Sequence, residues 1–442
     1  MKTLAWMTAG AAGLALIGCT IGAKYTVGGT LTGLTGQGLV LEDNSGNDLS
    51  LASNGAFVFS DGIGNSDAYS VTVKTQPSNP SQTCTVRNGS GTIDKADITG
   101  VLVSCTQTGR FAYVANQLSN NLSAYSIDSG TGALTPIGGS PFASSGTTPA
   151  SLAVDPDGRF LYVANNGSND VSVYSIDSTT GALAAAGLPI AAASGPDAVA
   201  VDPTDTYLYV ANLASNSVSA YSIDSSTGLL IELSNSPFAV GAQPTSLKIA
   251  PNGNFLYVAN FGDGNVTVLA IDPGTGSLSG ISGSPFGAGA GAVSIAIDPT
   301  GTFAYVANES ADTLSEYSVN VSTGALTAIS GSPLSTGTSP ESLAVDPAGR
   351  YVYAANVTSK NLVAAYSITP TTGALTLSGA PVAAGTLPIA IALDPSGLFA
   401  YVVNDNSSDI SVYAVDITTG VLTPVSHSPF AAGTEPRAIA ID

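Results

Sequence analysis

The sequence contains very little tryptophan, methionine, histidine or cysteine: its 442 residues include 1 Trp, 2 Met, 1 His and 3 Cys. Met1, Trp6 and Met7 all lie at the N-terminus, within or just before the first apolar segment, so the rest of the chain contains neither Trp nor Met. With one histidine, His427, and no clustered cysteines, the chain offers no set of ligands for zinc. It also contains no G-x-S-x-G nucleophile elbow and no P-loop.

Basic residues are scarce as well, with 11 Lys and Arg against 31 Asp and Glu, a formal net charge of −20. Such a chain repels phosphate backbones, so we expect no nucleic-acid partner. Charged residues make up only 10% of the sequence and hydrophobic residues 44%, which is too apolar for a disordered chain. The 50 Gly and 25 Pro indicate an all-β protein with many turns.

The first residues combine a basic Lys2 with an apolar run from Leu4 to Ile17, which is too short to span a membrane stably. We interpret residues 1–18 as an export signal. The run ends in Leu-Ile-Gly-Cys19, which resembles the lipobox of bacterial lipoproteins and implies that Cys19 is acylated at the start of a linker, residues 19–23. An ordinary signal peptide that happens to contain a cysteine is the alternative.

A lipid on Cys19 predicts a cell-envelope protein tethered to a membrane. Thr20 follows the cysteine, rather than the aspartate that resembles an inner-membrane retention signal, so the outer membrane is the expected location, on its periplasmic or surface face. With Cys19 used as the lipid carrier, Cys84 and Cys105 remain as an even pair in an oxidising compartment, and we expect a disulfide between them.

Residues 24–105 contain short alternating segments separated by Gly and Asn turns. Examples are Tyr25 to Thr32, Ala56 to Phe59, Tyr69 to Lys74 and Ile98 to Val103. Apolar and polar side chains alternate along them as in a sheet with one solvated face. The pattern predicts a small β-sandwich domain, in which a Cys84 to Cys105 bridge ties the last strand to an earlier one.

Residues 110–442 are dominated by an internal repeat, the segment Tyr-Val-Ala-Asn or a close variant. Its copies begin at Tyr113, Tyr162, Tyr209, Tyr257, Tyr305, Tyr353 and Tyr401. These seven copies are 47 to 49 residues apart, a period typical of propeller blades, and the unit has no helical periodicity. We therefore predict a seven-bladed β-propeller with four strands in each blade.

The repeat is out of phase with the ends of the chain. The first copy begins with a second strand, Phe111 to Ala115, whereas the chain finishes on Arg437 to Asp442, which matches a first strand. The C-terminal residues should therefore form the innermost strand of the first blade. This closure removes the open edge that the sheet would otherwise present.

The Tyr-Val-Ala-Asn units follow Val-Asp-Pro-x-Gly and precede Thr-Gly-Ala-Leu, as in Val154 to Gly158 and Thr131 to Leu134. They resemble YVTN-type propeller repeats, and the whole block resembles the seven-bladed lactonase-like propellers, the fold of 6-phosphogluconolactonases of the cycloisomerase-2 type. The resemblance implies a lactone hydrolase. We expect no cofactor.

A candidate ligand site emerges when the seven first strands are aligned. One position varies while its neighbours stay small or aliphatic, as a ring of side chains around a ligand would. The ring, which we call the variable ring, consists of Ala150, Asp197, Thr245, Val293, Glu341, Ile389 and Arg437. A solvated channel rim whose residues drift without function is the alternative.

Lys248 is a further candidate, because it replaces the alanine found at the same place in the other first strands, and we expect it to project into the channel. In the same unit Ala250 replaces the turn aspartate. Lys248 could polarise a lactone carbonyl or face an anion, or its ammonium could simply reach water. His427 falls in a turn and is predicted to be structural.

Three functions follow from this sequence. We expect a ligand- or partner-binding module of the cell envelope, with Asp197, Thr245, Lys248, Glu341 and Arg437 as candidate binding residues. The alternative is a sugar-lactone hydrolase in which Asp197 or Glu341 activates water and Arg437 or Lys248 holds the carbonyl or a phosphate. A purely structural envelope protein is the third possibility. The fold alone does not choose among them.

Overall fold

A computed structural model describes residues 23–34, 38–77, 82–107, 111–336, 339–357 and 360–442. The predicted signal segment and Cys19 lie outside the described residues. The chain divides into two compact units at Thr106 and Gln107. Both are all-β, and the described residues include no helix long and apolar enough to cross a membrane.

The first unit is the predicted β-sandwich, built from two four-stranded sheets. One sheet has the order Gly55–Val58, Val27–Thr32, Ile98–Gln107, Gln82–Arg87, and the other has the order Asn47–Leu51, Leu39–Asp43, Ala68–Thr75, Ser90–Thr92. A further pair joins Lys24–Tyr25 to Ile63–Gly64. Both sheets contribute to one buried core that includes Leu31, Leu41, Phe57, Val71 and Val103.

The predicted disulfide between Cys84 and Cys105 is present, and it joins two neighbouring strands beside that core. One pairing in this unit is parallel, because Ile98–Gln107 runs in the same direction as Val27–Thr32. The long connection between these strands, which passes through the second sheet, permits the parallel arrangement.

The second unit contains seven similar sheets, as predicted, and we number the blades from 1 to 7 in the order of their second strands. First strands are Pro436–Ile441 in blade 1, then Pro149–Val154, Pro196–Val201, Pro244–Ile249, Ala292–Ile297, Ser339–Val345 and Pro388–Leu393. Second strands are Phe111–Asn116, Phe160–Asn165, Tyr207–Asn212, Phe255–Asn260, Phe303–Asn308, Tyr351–Val357 and Phe399–Asn404. Third strands are Asn121–Ile127, Asp170–Ile176, Ser217–Ile223, Asn265–Ile271, Thr313–Val319, Leu362–Ile368 and Asp409–Val415. Fourth strands are Leu134–Pro136, Leu183–Ala185, Leu230–Glu232, Leu278–Gly280, Leu326–Ala328, Leu375–Leu377 and Leu422–Pro424.

Each blade also has a fifth strand of two residues, which corrects the four-stranded blade expected from the sequence. These strands are Phe142–Ala143, Ile190–Ala191, Phe238–Ala239, Phe286–Gly287, Leu334–Ser335, Val382–Ala383 and Phe430–Ala431. Each pairs with the start of the third strand of its own blade before the chain crosses to the next blade. Two residues are too few to show a recognisable strand pattern, so the sequence predicted only four strands in each blade.

Contacts between blades explain why the repeat keeps its motif residues. The hydroxyl of Tyr113 donates to the carbonyl of Gly181 in the next blade at 2.9 Å, and Tyr401 does the same to Gly132, from blade 7 to blade 1. Gly181 has a positive φ of 72°, and a Cβ there would lie 2.4 Å from the ring of Phe111. The glycine of the Thr-Gly-Ala-Leu turn is therefore required by both its backbone and its aromatic neighbour.

The ring is closed by the C-terminal strand, as predicted. Pro436–Ile441 pairs antiparallel with Phe111–Asn116 in the innermost position of blade 1. Asp442 then occupies the place of the turn aspartates of other blades. Asp155 accepts backbone hydrogen bonds from Arg159 and Phe160, whereas Asp442 accepts one from the N–H of Phe111 at 2.9 Å, although these two residues are joined by no turn.

The recurring asparagines also act structurally. Asn165 is fully buried, and its amide donates to Asp170 and Ser172 on the third strand, both at 2.8 Å. These bonds fix the end of the second strand against the third. The residue directly after the recurring asparagine is therefore held in the same place in each blade.

Candidate functional site

A cavity of about 520 Å³ lies where the seven first strands begin, around the axis of the propeller. Every member of the variable ring lines it: Ala150, Asp197, Thr245, Val293, Glu341, Ile389 and Arg437. Lys248 lines it too. The sequence alignment of the repeats thus brought together side chains that are separated by up to 287 residues in the chain, from Ala150 to Arg437.

A recurring backbone link holds the ring residues at this end of the strands. In blade 3 the N–H of Leu213 donates to the carbonyl of Gly195, two residues before Asp197, at 2.7 Å, and blade 7 has the same link from Asp405 to Leu387 at 2.9 Å. Leu387 has a φ of 63°, a left-handed conformation that is rare for leucine. The residue before the first strand is left-handed in other blades too, at Thr148, Gln243 and Glu435, so this conformation is a turn of the repeat.

The same link positions a second set of residues, which the sequence analysis missed. Leu213, Phe261 and Glu309 each follow the recurring asparagine of their blade, and all three line the cavity. Asp405 holds the same position in blade 7 and contacts Arg437. This position also varies from blade to blade, so the alignment used for the first ring could have identified it.

Two carboxyl groups in the cavity have pKa values close to neutrality. Burial raises the pKa of Asp197 to about 6, against the attraction of Arg437, which lowers it. Burial also raises the pKa of Glu341 to about 7, with repulsion from Glu309 adding to the rise and Arg437 opposing it. Because Arg437 acts on both carboxyls, the three side chains form one electrostatic group.

Arg437 also forms an ion pair with Asp405. The two side chains approach to 3.6 Å between Nη1 and Oδ2. Burial raises the pKa of Asp405, and the attraction of Arg437 opposes this rise. The guanidinium brings a positive charge to the cavity, with donors in a planar, fixed arrangement.

Serine hydroxyls line the wall below the variable ring. Ser246 accepts a hydrogen bond from the N–H of Ile295 in the next blade at 3.3 Å, and Ser294 accepts one from Leu343 at 3.1 Å. Ser342 and Ser151 make the same contact in their blades. A serine that accepts from the backbone keeps its own O–H available as a donor, so this wall can bind acceptor oxygens of a ligand.

Thr245 is used by the fold. Its hydroxyl donates to the carbonyl of Val293 in the next blade at 2.9 Å. His427 is exposed, has a φ of 67° and contacts Ser426, in a turn that does not line the cavity. Among the described residues no group of three or more His, Cys, Asp or Glu side chains is arranged to hold a metal ion.

Comparison with known proteins identifies similar chains. A family model described as "Lactonase, 7-bladed beta-propeller" matches residues 81–196, 187–285, 234–338 and 284–440. A comparison with curated proteins gives no match.

Two solved structures are similar over the whole of the propeller. A putative 6-phosphogluconolactonase from Bacteroides uniformis superposes with a TM-score of 0.66 at 20% identity, covering 75% of this chain and 99% of the other. The Pseudomonas aeruginosa periplasmic gluconolactonase PpgL superposes with a TM-score of 0.65 at 20% identity, covering 75% and 98%. At this identity the similarity concerns the fold.

Proposed function

Because the chain belongs to the family of seven-bladed lactonase propellers, we propose that it hydrolyses a small lactone in the cavity lined by the variable ring. The observation that carries the proposal is that Asp197, Glu341 and Arg437 line one cavity, and that the charge of Arg437 acts on both carboxyls, whose pKa values are about 6 and 7. The family favours this hydrolase over the binding module that the sequence alone led us to expect.

Lactone hydrolysis needs three chemical contributions. A base removes a proton from water as the water oxygen attacks the carbonyl carbon. A fixed positive charge stabilises the oxyanion that forms, and an acid protonates the ring oxygen as the carbon–oxygen bond breaks. The product is a hydroxy acid, and the reaction consumes one water without any change of oxidation state.

The electrostatics of the cavity suggest how these roles are divided. Asp197, with the lower pKa of about 6, is mostly ionised at neutral pH and suits the base. Glu341, with a pKa of about 7, keeps a proton on about half of the molecules and suits the acid. Arg437 lies in the field of both carboxyls and supplies the fixed positive charge for the oxyanion.

The lining favours an uncharged, hydroxylated lactone. The acidic side chains Asp197, Glu309 and Glu341 oppose a phosphorylated substrate, whereas the serine wall offers donors to hydroxyl and carbonyl oxygens. The Pseudomonas aeruginosa relative is described as a periplasmic gluconolactonase, and the Bacteroides uniformis relative as a putative 6-phosphogluconolactonase. We therefore choose glucono-1,5-lactone as the substrate to test.

The test measures acid release from glucono-1,5-lactone above the spontaneous rate. We expect turnover by the wild type and losses of roughly 10² to 10⁴ in kcat for Asp197→Asn and Glu341→Gln. Glu232→Gln is the control, since Glu232 is an exposed carboxylate on the fourth strand of blade 3, outside the cavity. A wild type with no turnover, or variants as active as Glu232→Gln, would contradict the proposal.

The alternative function is ligand binding without turnover. The aliphatic ring members Ala150, Val293 and Ile389 favour it, because they offer contact surface and no chemistry. Tight binding of the lactone with no acid release would support this alternative. For either function, we propose that the chain is exported and anchored to a membrane through a lipid on Cys19.

A further inference from the structure

The first strand of each blade turns every second backbone N–H toward the channel, because only its outer edge pairs with another strand. In four blades one of these N–H groups donates to a serine hydroxyl of the preceding blade, over 3.1 to 3.3 Å. The pairs, with the donor first, are Val199 and Ser151, Ile295 and Ser246, Leu343 and Ser294, and Ile391 and Ser342. The repeat therefore has a regular acceptor for this N–H.

The other three blades lack that acceptor, because alanine replaces the serine of the preceding blade. The replacements are Ala390, Ala438 and Ala198, and the N–H groups opposite them belong, in the same order, to Ile439, Leu152 and Leu247. Within the described ranges these three N–H groups have no side-chain acceptor. All six residues line the cavity, so the open donors face the space that a ligand would occupy.

Two of the open N–H groups lie side by side. Ile439 is on the first strand of blade 1 and Leu152 is on the first strand of blade 2, which follows it around the ring. Arg437 lies two residues before Ile439 and also lines the cavity. The ring members in the flanking blades are the uncharged Ile389 and Ala150. A pair of fixed backbone donors and a guanidinium thus share one sector of the channel.

The third open N–H, that of Leu247 in blade 4, has different surroundings. It stands alone, because serines accept the corresponding N–H groups of blades 3 and 5. Asp197 lies on the neighbouring first strand of blade 3, and its carboxylate repels an anion, although Lys248 follows Leu247 in the chain. The other carboxyls of the lining, Glu309 and Glu341, belong to blades 5 and 6. The acidic lining therefore lies in blades 3 to 6, away from the paired open donors.

We propose that Arg437 and the N–H groups of Ile439 and Leu152 form a binding site for the carboxylate of a small hydroxy acid, which we call the carboxylate seat. The two oxygens of a carboxylate accept several hydrogen bonds, and bonds to an ionised acceptor are stronger than neutral ones. Asp405 lies 3.6 Å from Nη1 of Arg437, and the other N–H donors of the guanidinium remain for the ligand.

The lining also favours a hydroxylated carboxylate over a phosphate. A phosphate brings more negative charge into a cavity that already holds Asp197, Glu309 and Glu341. The hydroxyls of Ser246 and Ser294 accept backbone N–H groups and keep their own protons to donate, so they can bind the hydroxyl oxygens of the acid.

The carboxylate seat rests on the backbone donors and on Arg437, and it does not require turnover. A hydroxy acid is the product class of the hydrolysis proposed above, but a protein that only binds can hold it equally well. Absence of acid release from a lactone would contradict the hydrolase and leave the seat in place. Absence of carboxylate binding would contradict the seat and leave the hydrolase in place.

The experiment titrates the full protein with sodium gluconate and follows the backbone amide protons by NMR. An amide proton that donates to a carboxylate moves downfield, so we expect the resonances of Leu152 and Ile439 to move and that of Leu247 to stay. Gluconamide, which has the same hydroxyls and no charge, should bind more weakly by about tenfold or more. Inorganic phosphate should also bind more weakly than gluconate.

Serine variants provide the matched comparison, because they install the residue that blades 2, 4, 5 and 6 already carry. The double variant Ala390→Ser/Ala438→Ser places an oxygen in front of both paired N–H groups, and we expect gluconate affinity measured by calorimetry to fall about tenfold or more. Ala198→Ser covers the N–H of Leu247 instead and should leave the affinity unchanged.

Three results would overturn the carboxylate seat. One is gluconate binding that leaves the amide protons of Leu152 and Ile439 unmoved, or no binding at all. Another is a downfield shift at Leu247 in their place, which would put the anion beside Lys248. The third is equal loss of affinity in Ala198→Ser and in the double variant, or tighter binding of phosphate than of gluconate.

Discussion

The guanidinium of Arg437 lies 3.6 Å from the carboxylate of Asp405, across the junction where the last strand of the chain enters blade 1. Asp405 follows the second strand of blade 7, and Arg437 lies on the strand that closes the ring. The positive charge proposed to stabilise the oxyanion is therefore delivered to the cavity by ring closure, and Asp405 fixes its position.

Removing Asp405 should change the pH dependence of hydrolysis. In Asp405→Asn the field of Arg437 is no longer offset, so the pKa values of Asp197 and Glu341 should both fall. We expect the pH–rate profile for glucono-1,5-lactone to move to lower pH by up to about one unit. Asp263→Asn, in the corresponding loop of blade 4, is the control and should leave the profile in place. An unchanged pH–rate profile in Asp405→Asn would show that the Asp405–Arg437 pair does not affect the pKa values of Asp197 and Glu341.

The ionised form of Glu341 should lower the free energy of unfolding at high pH. Its pKa is about 7 in the folded protein, against an ordinary value of 4.5, so the folded state favours the protonated form. The resulting stability is fully present below about pH 4.5 and is lost as the pH rises through 7. We expect Glu341→Gln to raise the free energy of unfolding by up to about 3 kcal/mol at pH 8 and hardly at pH 4. Urea unfolding at both pH values measures this difference. Equal effects of Glu341→Gln at pH 4 and pH 8 would argue against the raised pKa.

Much of the propeller could be predicted from the sequence, because each blade repeats the same chemistry. Tyr113, Asn165 and Gly181 each have counterparts that make the same contact in most blades. The regular spacing of these residues in the sequence therefore predicted the number and length of the blades. The closing strand could be predicted for the same reason, since Arg437 to Asp442 matches a first strand and nothing else in the repeat.

The site could be predicted only in part. The variable ring was found because Asp197, Glu341 and Arg437 stand out against constant neighbours. Glu309 and Asp405 were missed because only the first strands were aligned, although the position after the recurring asparagine also varies from blade to blade. The contact of Asp405 with Arg437 could not be predicted in this way, because it depends on the closing of the ring. The sequence also gave no indication that burial would place the pKa of two carboxyls near neutrality.

Loss of the closing strand should unfold the ring, whereas loss of its last side chain should not. Deleting Arg437 to Asp442 exposes the edge of Phe111–Asn116, and we expect the cooperative melting transition to disappear. Asp442→Ala removes the side-chain acceptor of the Phe111 N–H, and we expect a cost of about 1 to 3 kcal/mol. Blade 4 is the natural precedent, because Ala250 replaces the aspartate and its backbone bond to Phe255 persists. Calorimetry distinguishes these outcomes, and an unchanged transition after the deletion would contradict the role of the closing strand.

The disulfide should matter for the β-sandwich alone. Cys84 and Cys105 are separated by 21 residues, and replacing both by serine opens the loop that the disulfide closes. We expect the free energy of unfolding of the β-sandwich to fall by about 2 to 4 kcal/mol. Hydrogen exchange followed by mass spectrometry should show faster exchange in Val27–Thr32 and Ile98–Gln107 and unchanged exchange in the blades. Equally faster hydrogen exchange in the blades would mean that the Cys84–Cys105 disulfide stabilises the propeller as well as the β-sandwich.

The mature protein should carry a lipid on Cys19 and contain no tryptophan. We expect detergent-extracted protein to lack indole fluorescence and to show an acylated N-terminal cysteine by mass spectrometry. Cys19→Ser should be released from membranes and should keep the fold of both units. A soluble wild-type product that retains Trp6 would rule out the lipoprotein interpretation.

Blade 1 is assembled from two distant parts of the chain, since its innermost strand is Pro436–Ile441 and its other strands begin at Phe111. Because synthesis runs from the N-terminus, the second, third and fourth strands of blade 1 are made long before their inner neighbour, Pro436–Ile441. A product of premature termination or of carboxypeptidase trimming lacks that strand, together with Arg437. Such a product would expose the unpaired edge of Phe111–Asn116 and would lack the guanidinium proposed to stabilise the oxyanion, so we expect it to be cleaved readily by proteases and to show no hydrolysis.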